Sequence, residues 1–201
     1  MLIGMGPGYR VDGRYEMGER LGKGTYGEVW RAQEWLGGDY IGDVALKLGE
    51  AEQADLRQRL VREAQAMAQL VHPNLVTYRG CGLIGDGLFY LVMELADESL
   101  DTLLRREGAQ GGDVVSVCSR DAARALAHIQ GSGAVHRDVK PANILLSASG
   151  DDEHLCLADF GLARHAASTS GVTGTGQWIG TVDFVAPEIL DQSGAASARS
   201  D

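Results

Sequence analysis

The stretch Val135-His136-Arg137-Asp138-Val139-Lys140-Pro141-Ala142-Asn143-Ile144-Leu145-Leu146 decides how the rest of the chain is read. It sets His136, Arg137, Asp138, Lys140 and Asn143 within eight positions. Five fixed residue types at that spacing arise by chance in a chain of this length with a probability on the order of 10⁻⁴. The spacing makes chemical sense. An aspartate can accept a hydroxyl proton, a lysine can neutralise a phosphate in transfer, and an asparagine a few residues on can hold a metal ion. The apolar residues that follow read as a short strand, near 144–147.

Moving outward, Asp159-Phe160-Gly161 follows a second short apolar strand near 154–158. A carboxylate at a strand end suits Mg²⁺ beside phosphates. Further on, Gly180-Thr181-Val182-Asp183-Phe184-Val185-Ala186-Pro187-Glu188 reads as a loop running into a helix, with proline near the first turn. Toward the N-terminus, Gly22-Lys23-Gly24-Thr25-Tyr26-Gly27-Glu28-Val29 is a glycine hairpin whose backbone can approach phosphates closely. Alone it is weak, because 28 of 201 residues are glycine. A strand pattern follows its third glycine, which counts against a dinucleotide-binding turn. Next comes the apolar strand Val44-Ala45-Leu46-Lys47. A helical stripe over positions 56, 60, 63, 67 and 71 puts Glu63 on an apolar face, where a carboxylate is costly unless paired. Lys47 is the candidate partner. The plainer alternatives are a lysine reaching solvent and a glutamate at the edge of the stripe. The chain holds only three lysines against fifteen arginines, and Lys23, Lys47 and Lys140 all fall in these motifs.

The patterning predicts strands with one helix, then helices with a little strand. This is an α+β protein of two lobes. We expect a loose leader over 1–13, a first lobe over 14–96, a second over 97–190 and a disordered tail over 191–201. In the second lobe, a helix over 113–131 carries a stripe of Val115, Cys118, Ala122, Leu126 and Ile129. The formal charge of −10 argues against nucleic-acid binding and against docking on an anionic membrane. No apolar run approaches the ~18 residues of a membrane span, and the start lacks a basic, then apolar, export signal. Cys81, Cys118 and Cys156 are odd in number and far apart, as expected of free thiols in a reducing cytoplasm. His72, His128, His154 and His165 read as turn or surface residues.

These segments, in this order over about residues 15–190, resemble the eukaryotic-type Ser/Thr protein kinase family, in a form suggesting a bacterial source. The resemblance implies a bilobal fold with an antiparallel N-lobe sheet plus one helix and a mainly helical C-lobe. It implies transfer of the γ-phosphate of ATP, with Mg²⁺ or Mn²⁺, to protein Ser/Thr hydroxyls. Gly22, Lys23, Gly24 and Gly27 would cover the phosphates. Lys47, oriented by Glu63, would hold the α- and β-phosphates. Val29, Ala45 and Leu145 would sandwich the adenine, beside Met93 and the backbone of Glu94 to Ala96. Asp138 would be the catalytic base and Lys140 the γ-phosphate clamp, with Asn143 and Asp159 on the metal. Met67, Tyr78, His136 and Phe160 align with the stack that joins the lobes of active kinases, which gives His136 a structural role. Arg137 would pair with phosphate on the segment 162–181, at Ser168, Thr169, Ser170, Thr173 or Thr175.

The sequence ends thirteen residues after Glu188, so helices of a full C-lobe, and the arginine that pairs with Glu188, are expected to be missing. The expectation is an exposed apolar patch around Phe184, Val185, Ile189 and Leu190, covered by a partner or by a C-terminal segment. Two other functions compete: a nucleotide-binding remnant acting as an interaction module, and a small-molecule phosphotransferase.

Overall fold

Alternation of apolar and polar residues over 15–50 needs strands, since only a period of two puts Val44, Leu46 and Leu48 on one side. A computed structural model of the chain describes residues 5–24, 27–51, 54–85, 87–149, 152–159, 184–190 and 197–201. Two units are present, Met1–Gln69 with Thr77–Leu95, and Leu70–Val76 with Ala96–Asp201.

The first unit is a six-stranded antiparallel sheet with one helix. Its strands are β1 (Arg10–Val11), β2 (Tyr15–Gly24), β3 (Gly27–Leu36), β4 (Asp39–Glu50), β5 (Tyr78–Ile84) and β6 (Leu88–Glu94), in the order β1-β2-β3-β4-β6-β5. Val11, Tyr15, Met17, Trp30, Ala32, Val44, Leu46, Leu48, Tyr90 and Val92 form its core. The leader is not loose where it is described. Val11 is fully buried, Gly8 N–H donates to Met17 O at 2.7 Å, and Met17 N–H donates to Tyr9 O at 2.9 Å. Helix α1 (Ala54–Met67) stops at Met67, one turn short of the predicted stripe, so Val71 is 80% exposed.

The second unit holds β7 (Glu98–Ser99), β8 (Ile144–Ser149) and β9 (Asp152–Leu157) in one sheet, with α2 (Leu100–Glu107), α3 (Gly112–Gly131), a 3₁₀ turn (Pro141–Asn143) and α4 (Pro187–Leu190). Ser99 caps α2 by accepting Thr102 N–H, satisfying one of the helix's orphan donors. Helix α3 buries Asp121, Ala125 and Ile129; of the predicted stripe Ile129 is buried, Cys118, Ala122 and Leu126 are half-buried, and Val115 lies exposed. The inward acid is tolerated because Arg120 Nε donates to it at 2.8 Å and Arg124 stands 3.6 Å away. Cys81, Cys118 and Cys156 are free thiols.

Residues 70–76 belong to this second unit for a backbone reason. Val76 N–H donates to Leu157 O at 3.1 Å and Leu157 N–H donates to Asn74 O at 2.9 Å. Buried Asn74 adds an amide bond to Leu155 O at 2.9 Å. His72 stacks on His128, with ring centroids 4.9 Å apart. Of the expected patch, Phe184 is exposed, Val185 and Ile189 are half-buried, and the side chain of Leu190 lies outside the described residues. Among the described residues no helix is long and apolar enough to cross a membrane.

Candidate active site

In the first unit, sheet register decides which side chains share a face. Val29 stands opposite Lys47, which stands opposite Leu91; Ala45 stands opposite Met93. Directly paired residues point the same way, and so do residues two apart. Val29, Ala45, Lys47 and Met93 therefore share one face, opposite to the core of Leu46, Leu48 and Val92. Lys47 is 8% exposed in the middle of this ladder. Glu94 closes β6 with two bonds to Thr77: its N–H donates to Thr77 O, and its carboxylate accepts Thr77 N–H, both at 2.9 Å.

The glycine hairpin is the join of β2 and β3, with Gly22 opposite Val29, Lys23 opposite Glu28 and Gly24 opposite Gly27. Two of its glycines have different reasons. At Gly27, φ is +130° and a Cβ would lie 1.8 Å from Leu48 O, so no side chain fits. At Gly22 a Cβ would meet nothing within 4 Å. Internal packing does not require that glycine, which leaves bare backbone open to an outside ligand. Thr25 and Tyr26, Phe160, and the segment 162–181 with Arg137's expected phosphosites lie outside the described residues. So does the side chain of Glu63, whose backbone is part of α1.

In the second unit three predicted residues form one bonded network. Lys140 Nζ donates to both carboxylate oxygens of Asp138, at 2.9 and 2.8 Å. Asn143 Nδ2 donates to Asp138 O at 2.8 Å and to Asp138 Oδ2 at 2.9 Å. The local cause is the 3₁₀ turn. Pro141 starts it, and Asn143 N–H closes it on Lys140 O at 2.9 Å, which folds residue 143 back over residue 138. Ala158 N–H donates to Asn143 O at 2.8 Å, so the residue before Asp159 is tied to the same turn. Leu145 sits on β8 opposite Cys156, and Ala96 precedes the bond from Asp97 N–H to Leu146 O.

Sequence reasoning missed how the loop backbone is held. His136 is fully buried; its Nε2–H donates to Ala158 O at 3.0 Å, and its Nδ1 accepts Asp138 N–H at 3.2 Å. Burial pushes its imidazole below the ordinary value of 6.5, and the nearby Asp201 carboxylate opposes that only in part. Asp201 receives His136 N–H at 2.7 Å and Arg137 N–H at 2.6 Å, one on each oxygen. The sequence reading puts Asp201 in a disordered tail. Residues 197–201 instead form a turn closed by Ser200 N–H on Ser197 O, with Gln130 donating to Ala198 O. No apolar periodicity marks that segment, so nothing in its pattern announces the contact.

The residues fit a hard divalent cation held between protein and phosphates. Asn143 uses the nitrogen end of its amide on Asp138, so its carbonyl is the hard oxygen that faces away. Such an ion takes one or two protein oxygens and its remaining ligands from phosphates and water.

A family model described as protein kinase domain matches residues 15–201. This chain belongs to the protein kinase domain family. The kinase domain is 37% identical over 200 residues to the Ser/Thr-protein kinase PkaA of Streptomyces coelicolor, covering 94% of this chain and 36% of that protein. It is 37% identical over 192 residues to the Ser/Thr-protein kinase PknJ of Mycobacterium tuberculosis, covering 93% of this chain and 31% of that one. It thus spans about a third of the length of these relatives. Among solved structures, the Mycobacterium tuberculosis PknI kinase domain, crystallised as a double mutant, is similar with a TM-score of 0.73 and 25% identity. That similarity covers 98% of this chain and 73% of the other.

Proposed function

We propose that this kinase domain transfers the γ-phosphate of Mg·ATP to serine or threonine hydroxyls of proteins. The observation that carries the reading is the network in which Lys140 and Asn143 fix the carboxylate of Asp138. In this reading Asp138 accepts the hydroxyl proton as the acceptor's oxygen attacks. Lys140 neutralises charge on the transferring group. Phosphoryl transfer needs such positioning and charge neutralisation more than covalent help. Gly22, Lys23, Gly24 and Gly27 cover the phosphates, and Lys47, with Glu63 behind it, holds the α- and β-phosphates. Val29, Ala45, Met93 and Leu145 make the adenine slot, with the backbone of Glu94 to Ala96 at its edge. Asn143 and Asp159 would hold the Mg²⁺, whose chemistry is to neutralise the phosphate oxygens. The two units correspond to the two lobes of the kinase fold, and the domain works in the cytoplasm, where ATP is. Arg137 receives phosphate placed on 162–181 by autophosphorylation, which orders that segment.

The test is transfer of labelled γ-phosphate to a basic protein, beside Mg·ATP binding by thermal shift. The wild-type domain is expected to do both. Asp138→Asn lowers kcat roughly 10²–10⁴-fold with binding retained, and Asp159→Ala abolishes Mg²⁺-dependent turnover. Normal turnover by either variant contradicts the assignment. Wild-type binding without transfer points instead to a nucleotide-binding module.

A further inference from the structure

The β2–β3 ladder is interrupted on both sides of Arg20, between Met17 and Arg20 and again between Arg20 and Gly22. Beyond those breaks lies the hairpin stem, where Gly22, Gly24 and Gly27 offer no side chains to fix the register. The return strand is fixed on its other side, because Gly27 is pressed against Leu48 O of β4. What remains is the outgoing strand, and there the side chains supply what the ladder lacks. Glu28 stands directly opposite Lys23 and diagonally from Arg20, within reach of a long side chain. Arg20 Nη1 donates to Glu28 Oε1 at 3.0 Å, while Lys23 Nζ stands 4.0 Å from the same oxygen. The Glu28 side chain is 13% exposed, against 72% for Lys23.

We propose that the Arg20–Glu28 ion pair is a clamp across the ladder break that holds the glycine hairpin in register for nucleotide phosphates. The inference rests on the nucleotide-binding reading above. Arg20 and Glu28 are positioning residues; they act through the backbone of Gly22 and Lys23. Arg20 also takes the nearer place on Glu28, which leaves the exposed ammonium of Lys23 to the phosphates.

Arg20→Gln, Glu28→Gln and the exchange Arg20→Glu with Glu28→Arg are compared with wild type. The readouts are the Kd for Mg·ATP, the amide exchange of Gly22 and Lys23 without nucleotide, and the thermal midpoint of the free protein. Each single variant is expected to bind Mg·ATP roughly two- to fivefold more weakly, the range of a part-exposed ion pair. Exchange at Gly22 and Lys23 speeds up by a similar factor, the midpoint of the free protein stays put, and the exchange variant restores both readouts. Glu28→Gln separates the clamp from a simple charge effect. If the acid acted only by repelling phosphate, its removal would tighten binding, and that result overturns the proposal. So does wild-type affinity in both single variants, or an exchange variant that restores nothing. A wild-type protein that binds no Mg·ATP overturns the functional reading, and amide exchange alone then decides the clamp.

Discussion

Arg137 and Asp159 both hold left-handed backbone, with φ of 72° and 63°. Side chains adopt that region reluctantly, at a cost of order 1–3 kcal/mol each, and only where the surroundings insist. At Arg137 the surroundings are on view: its N–H and that of His136 both donate to Asp201. His136 is the buried centre of this arrangement, and it gives the loop an acid limit. Unfolded histidine takes a proton near 6.5, whereas burial holds the folded imidazole below that. The unfolded state therefore binds more protons as pH falls below about 6.5, and stability drops there; above about pH 7 this group adds no slope. Burial, His128 and Arg124 shift His72 in the same direction, so it shares the slope. Thermal midpoints taken across this range should stay level and then fall, and His136→Phe should lose part of the fall. An unchanged slope in that variant refutes the role. At this scale Asp138, Lys140 and Asn143 were legible because a single turn of chain brings them together. Asp201 was not, because its partners lie more than sixty residues upstream.

Elements built on side-chain periodicity were read well, and those built on backbone pairing were not. Strand β3 announces itself by alternation and β4 and β6 by apolar runs, whereas β1 contributes little beyond two backbone pairs and one buried valine. The pairing of residues 74–76 with β9, in which Asn74 O accepts Leu157 N–H and Val76 N–H donates to Leu157 O, is carried by backbone groups and leaves no side-chain pattern to read. For α3 the periodicity locates the helix and Ile129 but not the whole buried face, which includes Asp121, an acid that neighbouring arginines make tolerable. A similar acid sits on β3. The Glu34 side chain is 6% exposed, with Arg14 Nη2 at 2.6 Å and Arg79 Nη1 at 3.8 Å. Removing Arg14 strands much of a buried charge, so Arg14→Ala should cost about 1–3 kcal/mol in chemical denaturation. Arg105 pairs with Asp101 one turn away on the surface of α2, and Arg105→Ala should cost at most ~0.5 kcal/mol. Equal losses would show that Glu34 does not depend on its partners.

For the molecule as a whole, the order of motifs reveals two lobes, but not how the last described residues hold the backbone of His136 and Arg137. Asp201→Ala leaves two backbone donors without their acceptor. It is expected to lower the thermal midpoint, at about 1–3 kcal/mol per donor that water does not reach. It should also reduce kcat while the Kd for Mg·ATP stays near wild type, because the residues we propose to cover the phosphates belong to the other unit. A raised Kd with unchanged kcat would contradict that division of labour.

The pairing of residues 74–76 with β9 has a topological consequence. The polypeptide leaves the first unit after Gln69, returns at Thr77 and leaves again after Leu95. Neither half is one continuous piece of gene. A split protein divided after Leu95 would strand Asn74 and Val76 on the fragment that lacks Leu155 and Leu157. Fragment complementation would then have to rebuild β9's missing neighbour before either piece was whole.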